Sequence, residues 1–427
     1  MPKAGFTSID ELSLSDLEGI RLLLRGGSAI DWHRLNFVEE EDARAFLRAQ
    51  EFDLSDGADM ARSQAIKSSA MAYLRRNFDF PIPKPVANKD VLGLLMLAST
   101  KGHRQLCACT ILKVMHIIHH LEARELLFML PTSDEEVFHL VEQKVYRVVG
   151  AALAEGFPIV EFIGGRKNRD SLYTKLLCKS EVSAAQIYDK LRFRIVTRQT
   201  DDVFPMLRFL MRHVFPFNFV IPGESTNTLF PFRRYCESKP HLAELLPKLQ
   251  FGSGLEEDGG AAGENVFSAK SYRVVHFVVD MPVRMPAEML HQAPPAAWAL
   301  GRVIFVQVEF QVLDQQTDQD NETTEASHEA YKTRQRLAVM RRLKVGREDP
   351  APKPKPRKRS DRPSKRSSEL PTRPSSRALA KRPSGKPAAA PAPTRQSRPA
   401  SRPAAAPAPT RQSRPASRPA AAPAPTR

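Results

Sequence analysis

The chain has 427 residues, with 64 Lys and Arg against 48 Asp and Glu, a formal net charge of +16. From Ala351 to Arg427 there are 20 basic and 2 acidic side chains, so this tail carries +18 and Met1–Pro350 is left at −2. A basic folded domain built for nucleic acid is therefore not implied, and the body is long enough for one large domain or two ordinary ones.

Other classes fall on simple grounds. No run approaches the roughly 18–20 uninterrupted apolar residues of a membrane span. The start, MPKAGFTSIDELSLSDLEGI, lacks a basic segment followed by an apolar one, so secretion is not expected. Four cysteines (Cys107, Cys109, Cys178 and Cys236) in this length do not make a disulfide framework. Cytoplasm is the expected compartment.

In chain order, residues 8–150 read as mostly helical. SIDELSLSDLEGIRLLLRGG has polar N-cap candidates, apolar residues at helical spacing and a Gly26-Gly27 stop. After the turn at Phe80–Pro85, VLGLLMLASTKG and LCACTILKVMHIIHHLEARELLFML have the same character. Cys107 and Cys109 lie in the second, with no other ligand pair at zinc spacing, and read as small buried thiols. His116, His119 and His120 share a helix face but fit no H-E-x-x-H signature. They read as histidines on a buried or partner-facing helix. A long helix is expected from about Asp134 to Glu155, with acidic residues in its first turn as the macrodipole prefers.

Beyond Gly156 helix and strand alternate. PIVEFIGG, LRFRIV, FNFVI, SYRVVHFVV and VIFVQVEFQV read as β-rich, from their branched and aromatic content. SLYTKLLCKS reads as one or two helical turns, and DDVFPMLRFLMRHV as a helix. The pattern predicts an α+β domain with a mixed sheet. From about Gly223 to Ala269 the chain reads as an irregular insertion, and ASHEAYKTRQRLAVMRRLKV as a closing helix. The tail holds 18 of the 35 prolines and repeats PAAAPAPTRQSRPASR with a period of 16 residues. It is expected to be an extended, disordered basic chain able to attach to RNA, ribosomes, DNA or anionic membrane, or simply to solubilise.

Alternation sorts the strand residues by face. Ile304, Val306, Val308, Phe310 and Val312 share one side; Gln307, Glu309 and Gln311 share the other with Phe305. Tyr272 and His276 lie opposite Val275, Phe277 and Val279. One sheet face could thus present an acid, amides, an imidazole and a phenol, although a merely solvated face has the same pattern. Asp189, just before LRFRIV, adds a second carboxylate, and Arg166, Lys167, Arg169 and Lys175 form a basic group upstream. Two carboxylates to hold a divalent cation, with convergent Arg and Lys, is what phosphoryl or nucleotidyl transfer needs.

The succession GRKNRDSLYTK, IYDKLRFRIV, SYRVVH, VEFQ and SHEAYK resembles the synthetase domain of RelA/SpoT-type alarmone synthetases, which have a nucleotidyltransferase-like fold. In that family the elements run R-x-K…S-x-x-x-K, D-x-x-x-x-R, G-Y-x-S-x-H, E-x-Q and H-x-x-Y-K. Here Lys167, Ser171 and Lys175 keep the spacings of the first element, Asp189 to Arg194 the second, and Tyr272 to His276 the third. Glu309, Gln311, Glu322, His328, Tyr331 and Lys332 fall at the separations of the last two. The resemblance covers roughly Asp134 to Val345, preceded by a helical region over 1–133 and followed by the tail from 346. There are departures: Ser271 replaces a glycine, Leu313-Asp314 replaces an Arg-Thr pair, and Arg166 sits one residue closer to Lys167 than usual.

The resemblance implies transfer of the β,γ-pyrophosphate of ATP to the 3′-hydroxyl of GDP or GTP. By the same resemblance Asp189 and Glu309 would hold Mg²⁺, and Glu309 would help deprotonate the acceptor. Arg166, Lys167, Lys175 and Arg194 would face ATP; Tyr272, His276 and Gln311 would hold the acceptor nucleotide. Ser171, His328 and Lys332 would support the pocket. Two other functions are compatible with the same fold: a nucleotide-binding regulator that has lost catalysis, and a transferase acting on RNA ends or another nucleotide.

Overall fold

Apolar residues at every second position force three strands to bury one side each, and they assemble into one mixed sheet. The computed structural model describes residues 6–178, 190–249, 269, 271–325 and 327–343. Asp189, most of the insertion after Leu249, and the repeat tail lie outside the described residues. Among the described residues the strands are β1 (Ile159–Arg166), β2 (Leu191–Thr197), β3 (Thr226–Asn227), β4 (Val275–Arg284) and β5 (Val303–Asp314). They lie in the order β1-β2-β5-β4-β3. β2 and β5 pair in parallel and the other pairs are antiparallel, so the fold class is α+β with a mixed sheet.

Among the described residues seven α-helices precede β1: α1 (Leu14–Arg25), α2 (Glu40–Ala49), α3 (Gly57–Phe78), α4 (Lys84–Ala87), α5 (Val91–Ala98), α6 (His103–Met129) and α7 (Asp134–Ala154). α8 (Arg169–Cys178) follows β1, and α9 (Val203–His213) follows β2. Short helices α10 (Phe232–Glu237) and α11 (Pro240–Leu245) follow β3, and α12 (Ala287–His291) and α13 (Pro295–Trp298) join β4 to β5. α14 (Gln315–Thr323) and α15 (His328–Arg342) close the described chain.

Local chemistry sets several of these boundaries. Ser13 with Asp16, and Ser133 with Glu136, form capping boxes that satisfy the first amides of α1 and α7. Gly26 ends α1 in the left-handed region at φ 60°, where a side chain would also run into Ser225. Gly164 is needed for a different reason: a Cβ there would overlap the Tyr146 hydroxyl and the Phe193 ring, so α7 could not close over β1.

The inward sheet face packs on α1, α7 and α9. Leu17, Ile20 and Leu23 of α1 share one core with Phe193, Leu207, Leu210, Phe277, Val308 and Phe310. Phe310 is fully buried, with the rings of Phe193, Phe215 and Phe277 centred 5.6, 5.3 and 5.6 Å away. Phe310→Ala is expected to lower stability by about 3–5 kcal/mol, read as a shifted urea midpoint. A second core joins α3, α5 and α6 around Ile66, Leu94, Cys107 and Ile111.

Two segments differ from expectation. FNFVI is not a strand: Phe217–Phe219 make a 3-10 turn after Pro216, and Val220 alone bridges to Val279. Phe219 is buried against His116 and His120 of α6 and Phe305 of β5, and Phe217 packs on Phe46 of α2, not through strand alternation. The stretch after Gly223 is not wholly irregular, since β3, α10 and α11 fold within it, α11 opening on Pro240. α6 is long and apolar enough to cross a bilayer by length and composition. In this fold one side of it is instead buried, including Cys107, Cys109, Ile111, Met115 and His119.

Candidate functional site

The strand register decides which polar side chains meet. Glu309 lies opposite Arg192 of β2 and Val278 of β4; Gln311 lies opposite Arg194 and His276. Residues paired across strands point to the same side, so Arg192, Arg194, His276, Glu309 and Gln311 share the face away from the main core. On the β1 side Arg192 faces Gly165, where an added Cβ would meet nothing within 4 Å. The face is thus left uncovered beside Arg192.

Glu309 is the centre of this group and is only 6 % exposed. Gln311 Nε2 donates a 2.7 Å hydrogen bond to Glu309 Oε1, and His276 Nε2 stands 3.4 Å from the same oxygen. Tyr272 is half-buried just before β4. Burial pushes its phenol above the usual value; Arg194 opposes this, Glu309 adds to it, and Arg192 and Asp318 act in the same opposed senses. Those charges mark Tyr272 as a neighbour of the Glu309 group. Thr228 holds this segment, donating from its hydroxyl to the Tyr272 carbonyl at 3.0 Å and accepting from the Val274 amide at 3.0 Å.

The basic residues divide into two groups. Arg194 pairs with Asp318 of α14, both side chains being about four-fifths buried (18 % and 22 % exposed). Arg166, at the end of β1, is held bidentately by Glu142 of α7 at 2.8 Å and lies 3.5 Å from Glu135. Its guanidinium therefore points toward α7. Lys167 continues the β1–β2 ladder, its amide donating to the Lys190 carbonyl at 2.9 Å. Ser171 and Lys175 lie four residues apart on α8, with the Ser171 amide bonded to Asn168 Oδ1 at 2.8 Å. α8 is fastened to α15 by Cys178 Sγ on the Gln335 carbonyl, 3.2 Å, and Arg342 on the Leu177 carbonyl, 2.8 Å. α15 carries His328 and Lys332. Burial pulls the His328 imidazole below its usual value, Lys332 and Arg192 lower it further, Glu322 opposes and Arg194 adds to the lowering. His328 therefore shares the electrostatic surroundings of the two strand arginines.

Sequence reasoning missed Arg192, although its signal was present: it stands two residues before Arg194 and must share its face. In the motif comparison Leu313-Asp314 stood only as a replacement of an Arg-Thr pair. Leu313 is fully buried, and Asp314 caps α14, accepting from the Thr317 amide at 3.1 Å and the Thr317 hydroxyl at 2.7 Å.

The other end of the same face is closed. Phe305 is covered by α6, with the His120 ring stacked at 4.1 Å and the His119 ring edge-on at 5.2 Å. His120 Nε2 lies 3.6 Å from Asp280. The open part of the face therefore runs from Glu309 toward Gln311, Arg194 and Tyr272.

A divalent cation must be judged on donor chemistry. Among the described residues no group of three or more His, Cys, Asp or Glu is disposed to hold a metal by itself. Mg²⁺ needs less than that, because it is commonly bound through one or two carboxylates and substrate phosphates. Glu309 supplies a carboxylate of that kind, and Asp189 lies outside the described residues. As a whole the face can bind a polyphosphate through Arg192 and Arg194, support a base or sugar on Tyr272 and His276, and accept a proton on Glu309.

No protein-family model matches the chain, and no curated protein matches its sequence. Solved structures do align with about half of it. Small alarmone synthetase 1 from Bacillus subtilis is 14% identical over 49% of this chain and 90% of its own, with a TM-score of 0.25. Small alarmone synthetase 2 from the same organism is 15% identical over 52% and 93%, with a TM-score of 0.26. A GTP pyrophosphokinase family protein from Streptococcus pneumoniae is 12% identical over 49% and 84%, with a TM-score of 0.25. At TM-scores this low, what the chain does has to be read from its own site residues.

Proposed function

We propose that this sheet face binds two nucleotides and transfers the β,γ-pyrophosphoryl group of ATP to the 3′-hydroxyl of GDP or GTP. The observation that carries the reading is the grouping of Arg194, Tyr272, His276, Glu309 and Gln311. They come from three separate stretches of the sequence, and they are residues that the motif resemblance assigns to one pocket. Arg194, with Arg192 beside it, would neutralise the phosphates of ATP, and Lys167 and Lys175 would add charge from β1 and α8. Tyr272 would stack on the acceptor base, while His276 and Gln311 orient its ribose. Glu309 would take the proton of the 3′-hydroxyl as that oxygen bonds to the β-phosphorus. The bond from the β-phosphorus to the α,β-bridging oxygen breaks in the same step, and AMP leaves. Mg²⁺, held by Glu309 with Asp189, would supply neutralising charge to the transferred phosphates.

Two observations favour a second reading. Glu309 already accepts a hydrogen bond from Gln311, and Arg166 is taken up by Glu142. Both are what a site that binds nucleotide without turning it over would show. Purified full-length chain should therefore be incubated with Mg²⁺, ATP labelled at the γ-phosphate, and GDP, GTP or an RNA 3′ end. Label appearing on a guanosine nucleotide, with AMP released, is the expected result. Nucleotide binding without transfer to any acceptor would favour the regulator, and label on RNA would move the acceptor to nucleic acid.

A further inference from the structure

The residue best placed to bind phosphate, Arg194, is already engaged by an anion that belongs to the protein. We propose that Asp318 is an internal competitor for Arg194: its carboxylate holds the guanidinium in the ligand-free protein, and an incoming polyphosphate must displace it. The inference rests on reading this face as a nucleotide site, and it concerns how that site is regulated.

Three features make the contact a built one. Arg194 sits on β2, an inner strand between β1 and β5, and pairs across to Gln311 of β5, so its direction is set by strand register. α14 starts on the residue after β5, and its first turn is fixed by the Asp314 cap at Thr317. Asp318 follows one helical turn after that cap. At the far end of α14, Asn321 is 2 % exposed and exchanges two hydrogen bonds with the Arg273 backbone, at 3.0 and 2.8 Å. Arg273 adjoins Tyr272. α14 is therefore clamped both to the end of β5 and to the Tyr272 segment, and Asp318 is held over Arg194 between the two clamps.

A carboxylate and a phosphate offer a guanidinium the same acceptor geometry, so they compete for it directly. The pair is shielded enough to persist, yet each side chain keeps about one-fifth exposure, so an anion can reach it. Polyphosphate gains Arg194 only by releasing Asp318, and α14 connects that release to the backbone beside Tyr272. A carboxylate that merely orients Arg194 would behave oppositely. Its loss would leave the guanidinium poorly aimed and would weaken anion binding.

The sign of one substitution separates these roles. Binding of inorganic tripolyphosphate and of α,β-methylene-ATP to the full chain would be measured by calorimetry for wild type, Asp318→Asn and Asp320→Asn. Asp320 lies on the same helix, is exposed and is bonded to Gln316 rather than to Arg194, so it controls for loss of one negative charge. Asp318→Asn is expected to tighten both ligands roughly five- to tenfold, the value of a partly shielded charged pair. Asp320→Asn should change them by less than about twofold at the same ionic strength. Adding Arg194→Gln should remove the gain given by Asp318→Asn. Unchanged or weaker binding by Asp318→Asn, with wild type binding normally, overturns the competitor and leaves the nucleotide reading standing. If neither wild type nor Asp318→Asn binds either ligand, the nucleotide reading fails and the competitor fails with it.

Discussion

Glu309→Gln is expected to lower the rate of pyrophosphoryl transfer by about 10²–10⁴-fold, the usual contribution of a general base, while the protein stays folded. The substitution keeps volume and leaves an amide to meet Gln311 and His276. It deletes the negative charge and the carboxylate oxygen that would take the acceptor proton. Because Glu309 is 6 % exposed, a small change in melting temperature is expected as well. Circular dichroism and melting of the variant separate that from unfolding. Asp189→Asn should give a loss of similar size. Turnover by Glu309→Gln equal to that of an active wild type would remove the base from the mechanism.

Acid should destabilise the protein steeply, through histidines buried as neutral rings. His119 is held between Phe52 and Phe305, ring centroids 5.0 and 5.2 Å away, and neither ring nitrogen has a hydrogen-bond partner in the structure. Burial, aided by the charges of His120 and Arg62, pulls it down to about 3. Burial also lowers His116 well below its usual value, helped by His120 and His119, and its Nδ1 accepts from Asn218 Nδ2 at 3.1 Å. His213 is lowered to about 4 by burial and then by Arg212, Arg208 and Arg48. Each group binds a proton more readily when unfolded, near the ordinary histidine value of 6.5, than when folded. Their contribution is therefore fully present above that pH and is lost as pH falls through the window toward the folded values. Each histidine costs about 1.4 kcal/mol per pH unit once the unfolded form is protonated, or about 2 kcal/mol by pH 5. Urea unfolding at pH 7.5 and 5.0 should show the combined loss, and His119→Leu should reduce the pH dependence by about one-third. An unchanged pH dependence in that variant would contradict the account.

The strands were legible where one side of the sheet is dry and the other is not. β2 and β5 alternate so cleanly that the inward set, Phe193, Ile195, Val308 and Phe310, follows from period two alone. The helices α1, α7 and α9 were legible from capping residues and spacing. FNFVI misled because Phe219 is buried among His116, His120 and Phe305 rather than in a ladder, and composition cannot tell those burials apart. α10 and α11 are six residues each, too short for a helical period to show. The shared face of His276, Glu309 and Gln311 was legible because polar residues stood at alternating positions in apolar strands, whereas Tyr272 lies just before β4. The part played by α14 was hidden, because Asp318 and Asn321 lie in a generic polar stretch and acquire meaning only through contacts with distant Arg194 and Arg273. Covering of Phe305 by α6 was hidden for the same reason. A lone aromatic among Gln307, Glu309 and Gln311 was the available clue.

The most direct measurement is a crystal structure of the chain with α,β-methylene-ATP, Mg²⁺ and GDP. The ATP phosphates are expected at Arg194 and Arg192, the guanine ring against Tyr272, and the acceptor 3′-hydroxyl about 3 Å from a Glu309 carboxylate oxygen. Nucleotides bound away from this sheet face, or a 3′-hydroxyl out of reach of Glu309 with both nucleotides in place, would contradict the proposed reaction.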